Sequence, residues 1–135
     1  MSRSEYSDDC DSWDLIRWRG AVASAIRGKR GQALLRELLA VLDAMDDKQL
    51  IAEEFINRDG QVCALGALGV SRGINVEELD YYDHDALASA YGVSQALIRE
   101  IEYENDGRWQ RHDNKARHAY MRKWVQSLIR DGENT

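Results

Sequence analysis

Five carboxylates crowded into nine positions, Glu77, Glu78, Asp80, Asp83 and Asp85, are the densest chemical grouping in the chain. Paired carboxylates can divide the roles of general acid and general base. The plainer reading of such a run is a solvated face, which here could also attract the chain's own cations. Asp83-His84-Asp85 contains metal-ligand residue types, but adjacent side chains leave the backbone in different directions and chelate poorly. His112 and His118 are six positions apart, so they do not share a helical face, and no cysteine pair completes a zinc set. Cys63 would need exposure beside a base to act as a nucleophile, and its apolar neighbours predict an inert buried thiol instead. Gly28-Lys29-Arg30-Gly31 offers backbone donors and two cations for an anion nest. It lacks the full phosphate-loop pattern, so a solvated link between helices is the simpler reading. These residues predict no catalytic group, no metal and no cofactor.

The cations are more informative because they are segregated. Residues 15–36 carry six cations and no acid, and residues 108–130 carry seven cations and one acid. Between them, residues 37–107 carry sixteen acids against four cations, within a chain whose net charge is −6. Both basic blocks interleave cations with large rings, as in Arg17-Trp18-Arg19 and Arg108-Trp109. Such mixtures suit a phosphate backbone, an acidic protein partner, or the acidic middle of the same chain. The residues expected to contact a partner are Arg17, Arg19, Lys29, Arg30, Arg108, Trp109, Arg111 and Lys115. Trp18 and Trp124 fit helical core faces, whereas Trp13 and Trp109 sit among polar residues and suit a contact surface.

A chain of 135 residues, 44% hydrophobic and 31% charged, is long enough for one domain with a single modest core. With a sequence pI near 5.0, affinity for nucleic acid or anionic lipid has to come from a local patch. Cys10 and Cys63 are the only cysteines and lie far apart in unlike surroundings, which predicts a cytoplasmic protein with both thiols reduced. Met1–Asp14 has no apolar run of the secretory kind. No stretch approaches the roughly 18 apolar residues that span a bilayer, so no membrane partner is expected. Proline is absent, where an average usage of about 5% would supply several. A mainly α architecture follows, of about five to six helices.

The elements that must position these residues can be placed by periodicity. Residues 1–11 read as a flexible acidic tail, 12–130 as a single helical domain and 131–135 as a polar tail. Leu15, Trp18, Val22, Ala25 and Ile26 recur at helical spacing and predict a first helix over 12–27. After the glycine break, Leu34, Leu35, Leu38, Val41, Leu42 and Met45 mark a second helix ending near Asp46. The connection is short and favours an antiparallel pair. Asp59-Gly60 between apolar runs signals a short hairpin near 51–63, with a third helix as the competing reading. Residues 63–70 are small and apolar on all sides, which predicts a buried helix packed closely through its glycines. Residues 84–106 have helix-turn-helix spacing, with Gly92 at the turn and Ser94 capping the second helix. As a DNA reader that helix would present Ser94, Gln95 and Arg99 to base edges. Glu100, Glu102, Glu104 and Asp106 would then face phosphates, which argues against that role. A final helix is expected from about Asp113 to Arg130.

The strings RWRGAVASAIRGKRGQALLRELLAVLDAM (17–45), LIAEEFINRDGQVCALGALGVSRG (50–73), IEYENDG (101–107) and MRKWVQSLI (121–129) resemble a family of small tailed-phage and prophage proteins of unknown function. The resemblance covers most of the chain beyond the acidic tail. It implies a phage setting inside a bacterial host and supplies no catalytic residues to carry over. The Cys-Ala-Leu-Gly-Ala-Leu string with the later Asn105-Asp106 is also similar to a group of uncharacterised bacterial proteins. Small phage accessory proteins commonly bind and redirect other macromolecules, including host defence or regulatory components. The expectation is therefore a non-enzymatic phage accessory protein that binds a host or phage protein through its basic-aromatic surface. The alternatives are a small helix-turn-helix DNA-binding regulator, with nucleic acid as the partner, and a small enzyme using its acidic residues.

Overall fold

A computed structural model describes residues 12–107 and 113–130. The tails expected over 1–11 and 131–135, and the contact residues Arg108, Trp109 and Arg111, lie outside the described residues. Six α-helices are found among the described residues: α1 Ser12–Arg27, α2 Lys29–Ala44, α3 Ala64–Ser71, α4 His84–Tyr91, α5 Gln95–Asp106 and α6 Asn114–Leu128. A 3-10 turn, Val76–Glu78, follows α3. None of these helices is long and apolar enough to cross a membrane.

Helices α1 and α2 are separated by Gly28 alone, whose extended backbone (φ −70°, ψ 163°) turns the chain. Lys29, Arg30 and Gly31 are already helical, so the expected four-residue linker is a one-residue corner. From there α2 buries Leu34, Leu35, Leu38 and Leu42, the apolar stripe that period 3.6 places on one side. That stripe meets Met121 and Val125 of α6, and the two helices run antiparallel. At one end Gln32 of α2 bonds to the end of α6, and at the other His118 lies 2.9 Å from the Leu42 carbonyl. The His118 contact satisfies one of the carbonyls that a helix end leaves without an intrahelical donor. Lys48 does the same for the Asp43 carbonyl at 2.7 Å, placing a cation at the negative pole of α2.

The hairpin signal near 51–63 gives less than two strands. Asp59-Gly60 does reverse the chain, but only one antiparallel bridge forms, between Ile56 and Val62. Glu53 sits at φ 69° and breaks the extended run before it. Helix α3 is buried from Ala64 to Gly69 and presses through Gly66 on the backbone of Phe55. A Cβ at Gly66 would stand 2.1 Å from the Phe55 carbonyl oxygen, and backbone cannot move aside as a flexible side chain can. Gly66→Ala is therefore expected to cost about 3 kcal/mol through overpacking, read as a lower urea midpoint. A midpoint unchanged from the parent would show that this approach is not tight.

The helix-turn-helix spacing is realised. Gly92 takes a left-handed φ of 74° at the end of α4, and the Ser94 hydroxyl accepts from the Leu97 amide at 3.3 Å to start α5. The pair does not stand at an edge, however. Helix α5 packs against α1, α3, α4 and α6 and is the centre of the domain.

Candidate partner-binding surface

The central position of α5 determines what residues 84–106 can do. No residue between Gln95 and Asp106 is fully exposed, so the helix has no face to lay in a DNA groove. Of the residues expected to read bases, Gln95 bonds to Asp85 at 2.6 Å, and Arg99 lies over the Trp18 ring with its guanidinium carbon 4.9 Å from the centroid. Ser94 is exposed but serves as the cap. Packing thus takes up α5 on several sides, whereas α4 buries only Leu87 and Tyr91.

The glutamates of α5 do not face outward either. Glu100, Glu102 and Glu104 are 6%, 8% and 6% exposed. Glu104 accepts a hydrogen bond from the Tyr120 hydroxyl of α6. Asp106 accepts from the Tyr81 hydroxyl at 2.8 Å and from the Glu53 amide at 2.9 Å. Glu102 faces His84 at 2.9 Å through one oxygen, while its other oxygen is buried without a hydrogen-bond partner. Burial pushes the Glu102 carboxyl up to about 7, and Asp106 adds to this, against the opposing pull of His84 and Arg99. Between these groups, Asn105 accepts from the Ala64 amide at 3.0 Å and donates to the Ile51 carbonyl at 2.9 Å, tying α5 to the start of α3.

The acidic run 77–85 likewise serves local structure. Asp83 caps α4 by accepting from the Ala86 amide at 3.1 Å, and Asp80 accepts from the Tyr82 amide at 2.9 Å. Among the described residues no group of three His, Cys, Asp or Glu side chains could hold a metal ion. Cys63 is 2% exposed, its Sγ accepts from the Gly66 amide, and burial pushes its thiol up to about 12. At that value the thiolate is not populated at neutral pH and the group is no nucleophile.

The two basic blocks have different fates. Two cations of the second are used internally, while Lys115 and Lys123 stay exposed. Arg117 is buried and donates to the Leu50 carbonyl at 3.0 Å, and Arg122 of α6 pairs with Asp43 of α2 at 2.6 Å. Arg72, from the acidic middle, forks onto Glu37 with contacts of 2.7 and 3.0 Å. In the first block Arg17 pairs with Asp14 at 2.5 Å. By contrast, Arg19, Arg27, Lys29 and Arg30 are exposed and make no ion pair among the described residues.

Three of these cations, Arg27, Lys29 and Arg30, surround the α1–α2 corner. Arg36 joins them by donating to the Arg130 carbonyl at 3.0 Å, which brings the end of α6 alongside. Gln32, only 5% exposed, holds the three chain segments together. Its amide donates to the Ile26 carbonyl at 2.8 Å and the Leu128 carbonyl at 3.0 Å, and its oxygen accepts from the Arg130 amide at 2.9 Å. Helix α2 begins at this corner with no side-chain cap and no acid in its first turn. Two cations thus stand at the positive pole of a helix dipole, against the local preference.

Comparison of the chain with protein-family models, curated proteins and solved structures finds no match.

The expected contact residues do not all meet. Arg19, Lys29 and Arg30 lie on α1 and the corner, whereas Lys115 is in the first turn of α6, roughly 20 Å away along that antiparallel helix. Trp18 is buried at 6% exposure, and Trp13, at 67%, stands in solvent. Two residues that matter most to this surface were not singled out from sequence. Arg27 is the last residue of α1, and Gln32 breaks the leucine stripe of α2 as a polar residue three positions before Leu35.

Proposed function

We propose that this chain is a non-enzymatic binding module, in the phage setting its sequence resembles, that holds an acidic face of a partner protein through Arg19, Arg27, Lys29 and Arg30. The observation that carries the reading is the basic corner. Arg58, Lys115 and Lys123 are exposed without an ion pair too, but only at this corner do such cations crowd the start of a helix that has no side-chain cap and no acid in its first turn, among the described residues. Positions that break a local rule without an internal compensation are where function is expected. An acidic partner would supply both the counter-charge and acceptors for the first amides of α2. Steering by such a patch raises the rate of encounter and weakens with salt.

The test is a double charge reversal, Lys29→Glu with Arg30→Glu. Acids in a first turn favour a helix, so each reversal is expected to stabilise α2 by about 0.3–1 kcal/mol, seen as a rise in Tm. Affinity capture from host lysate, with and without nuclease, is expected to retain a protein on the parent chain and lose at least about tenfold of it on the variant, as two or more charge-assisted contacts at about 1.5–3 kcal/mol each imply. A variant that melts higher and still retains the same protein would overturn the reading. Loss of the bound material on nuclease treatment would move the partner from protein to nucleic acid.

A further inference from the structure

Helix α4 is held unequally at its two ends. At its close Tyr91 is buried, its hydroxyl donates to the Leu65 carbonyl at 2.6 Å, and Arg72 donates to the Tyr91 carbonyl at 3.0 Å. The amides of Gly92 and Val93 both return to the Ala88 carbonyl, at 2.8 and 3.2 Å. The first turn has less to hold it. Asp85 and Ala86 are exposed, Leu87 is its one buried side chain, and two polar contacts tie it to α5. Gln95 donates to Asp85 at the surface, and His84 meets Glu102 at 2.9 Å.

The His84 contact ends on a buried carboxyl whose second oxygen, Oε2, has no hydrogen-bond partner. The groups that face it are engaged elsewhere. Cys63, at the start of α3, accepts from the Gly66 amide, Tyr81 gives its hydroxyl to Asp106, and Tyr91 gives its own to Leu65. Along α5, Arg99 lies over Trp18 of α1, Asp106 is a second acid, and Glu104 turns to Tyr120 of α6. A neutral carboxylic acid tolerates such surroundings. A carboxylate beside another acid, with a single hydrogen bond, has to draw in water. On the α3 side the way is closed by Asn105, which ties the Ala64 amide and the Ile51 carbonyl to α5. The first turn of α4 can give way, since local opening takes place where few apolar contacts hold.

We infer that the first turn of α4, residues 84–87, is a latch that a proton on Glu102 keeps shut. Loss of the proton swings the turn off α5, with the Tyr91–Gly92 end as the pivot, and water reaches Oε2. Burial sets that loss at about 7, so the latch works across neutral pH. Opening is a separate event from the cost of a buried charge. A carboxylate that stayed buried would lower the stability of the whole fold without moving α4.

Amide hydrogen exchange of the full chain, read residue by residue by NMR at pH 5 and pH 8 and divided by the intrinsic rate at each pH, tests the inference. With Glu102 at about 7 when the latch is shut and at the ordinary 4.5 when it is open, the open form gains roughly 70-fold over the shut one between those pH values. The Leu87 amide, bonded to the Asp83 carbonyl at 3.0 Å, and the Ala88 amide are expected to lose about that much protection. At pH 8 they are expected to exchange by a route that low urea does not speed, the mark of a local opening rather than of global unfolding. The Gly92 amide, at the pivot, is expected to show no such route. In Glu102→Gln the pH dependence of the route is expected to vanish. Leu87 and Ala88 amides as protected at pH 8 as at pH 5 would overturn the inference. So would exchange that rises with urea as that of the α2 core amides does, or a glutamine variant that keeps the parent's pH dependence. Should the variant be too unstable to measure, the pH and urea series of the parent decide alone.

Discussion

Glu102→Gln is expected to abolish about 3 kcal/mol of pH-dependent destabilisation that the parent acquires between about pH 4.5 and 7. The sign follows from burial. The carboxyl sits at about 7 in the folded protein against an ordinary 4.5, so over that window the folded chain holds a proton that the unfolded chain has released. Stability due to this residue is therefore greatest on the acid side, falls as pH rises through the window, and is fully lost above 7. Glutamine has no proton to lose and keeps an oxygen for the contact with His84. Urea unfolding of parent and variant at about pH 5 and pH 8 gives the answer as a difference of differences, which cancels any constant cost of the substitution. Parallel stability profiles would show that Glu102 does not titrate in that range. Glu37 and Asp43 contribute below this window, because hydrogen bonds from Arg72 and Arg122 hold their carboxyls below the usual range.

Gln32→Leu is expected to cost about 4 kcal/mol, far more than its modest change in volume would suggest. Leucine fits the apolar stripe of α2 but cannot serve the Ile26 and Leu128 carbonyls or the Arg130 amide. Two of these groups belong to the last turns of α1 and α6, where the helix itself offers no donor. Leaving a buried polar group unserved costs about 1–3 kcal/mol, and part of the loss is recovered where the ends can fray into water. The same substitution is expected to weaken partner capture, because Arg27, Arg36 and Arg130 no longer share a fixed frame. A loss under about 1 kcal/mol in urea unfolding would mean that these groups find other partners, and that the clamp is dispensable.

The helices could be read from the sequence because their signals are local. A 3.6-residue apolar period and the single Gly28 set α1 and α2, and glycine followed by serine set the α4–α5 turn. The surface was harder to see. Glu100, Glu102 and Glu104 are spaced by two, so in a helix they cannot share one face, and some had to turn inward. Their partners His84 and Tyr120 are 18 and 16 positions away and carry no local mark of that role. The basic blocks misled for a related reason. Charge counted along the chain ignores that α2 and α6 run antiparallel, which sets Lys115 apart from Lys29 and spends Arg117 and Arg122 on internal contacts. The hairpin signal was correct at Asp59-Gly60 and overextended beyond it, since Glu53 at positive φ halts the strand.

The clamp at Gln32 joins positions separated by 96 and 98 residues, and Arg36 reaches across 94. During synthesis the cations of the first block leave the ribosome long before the segment that braces them. The corner can take its final form only once Leu128 to Arg130 have emerged. A nascent chain, or a fragment cut short before that point, would carry the charges of the proposed binding surface without its shape.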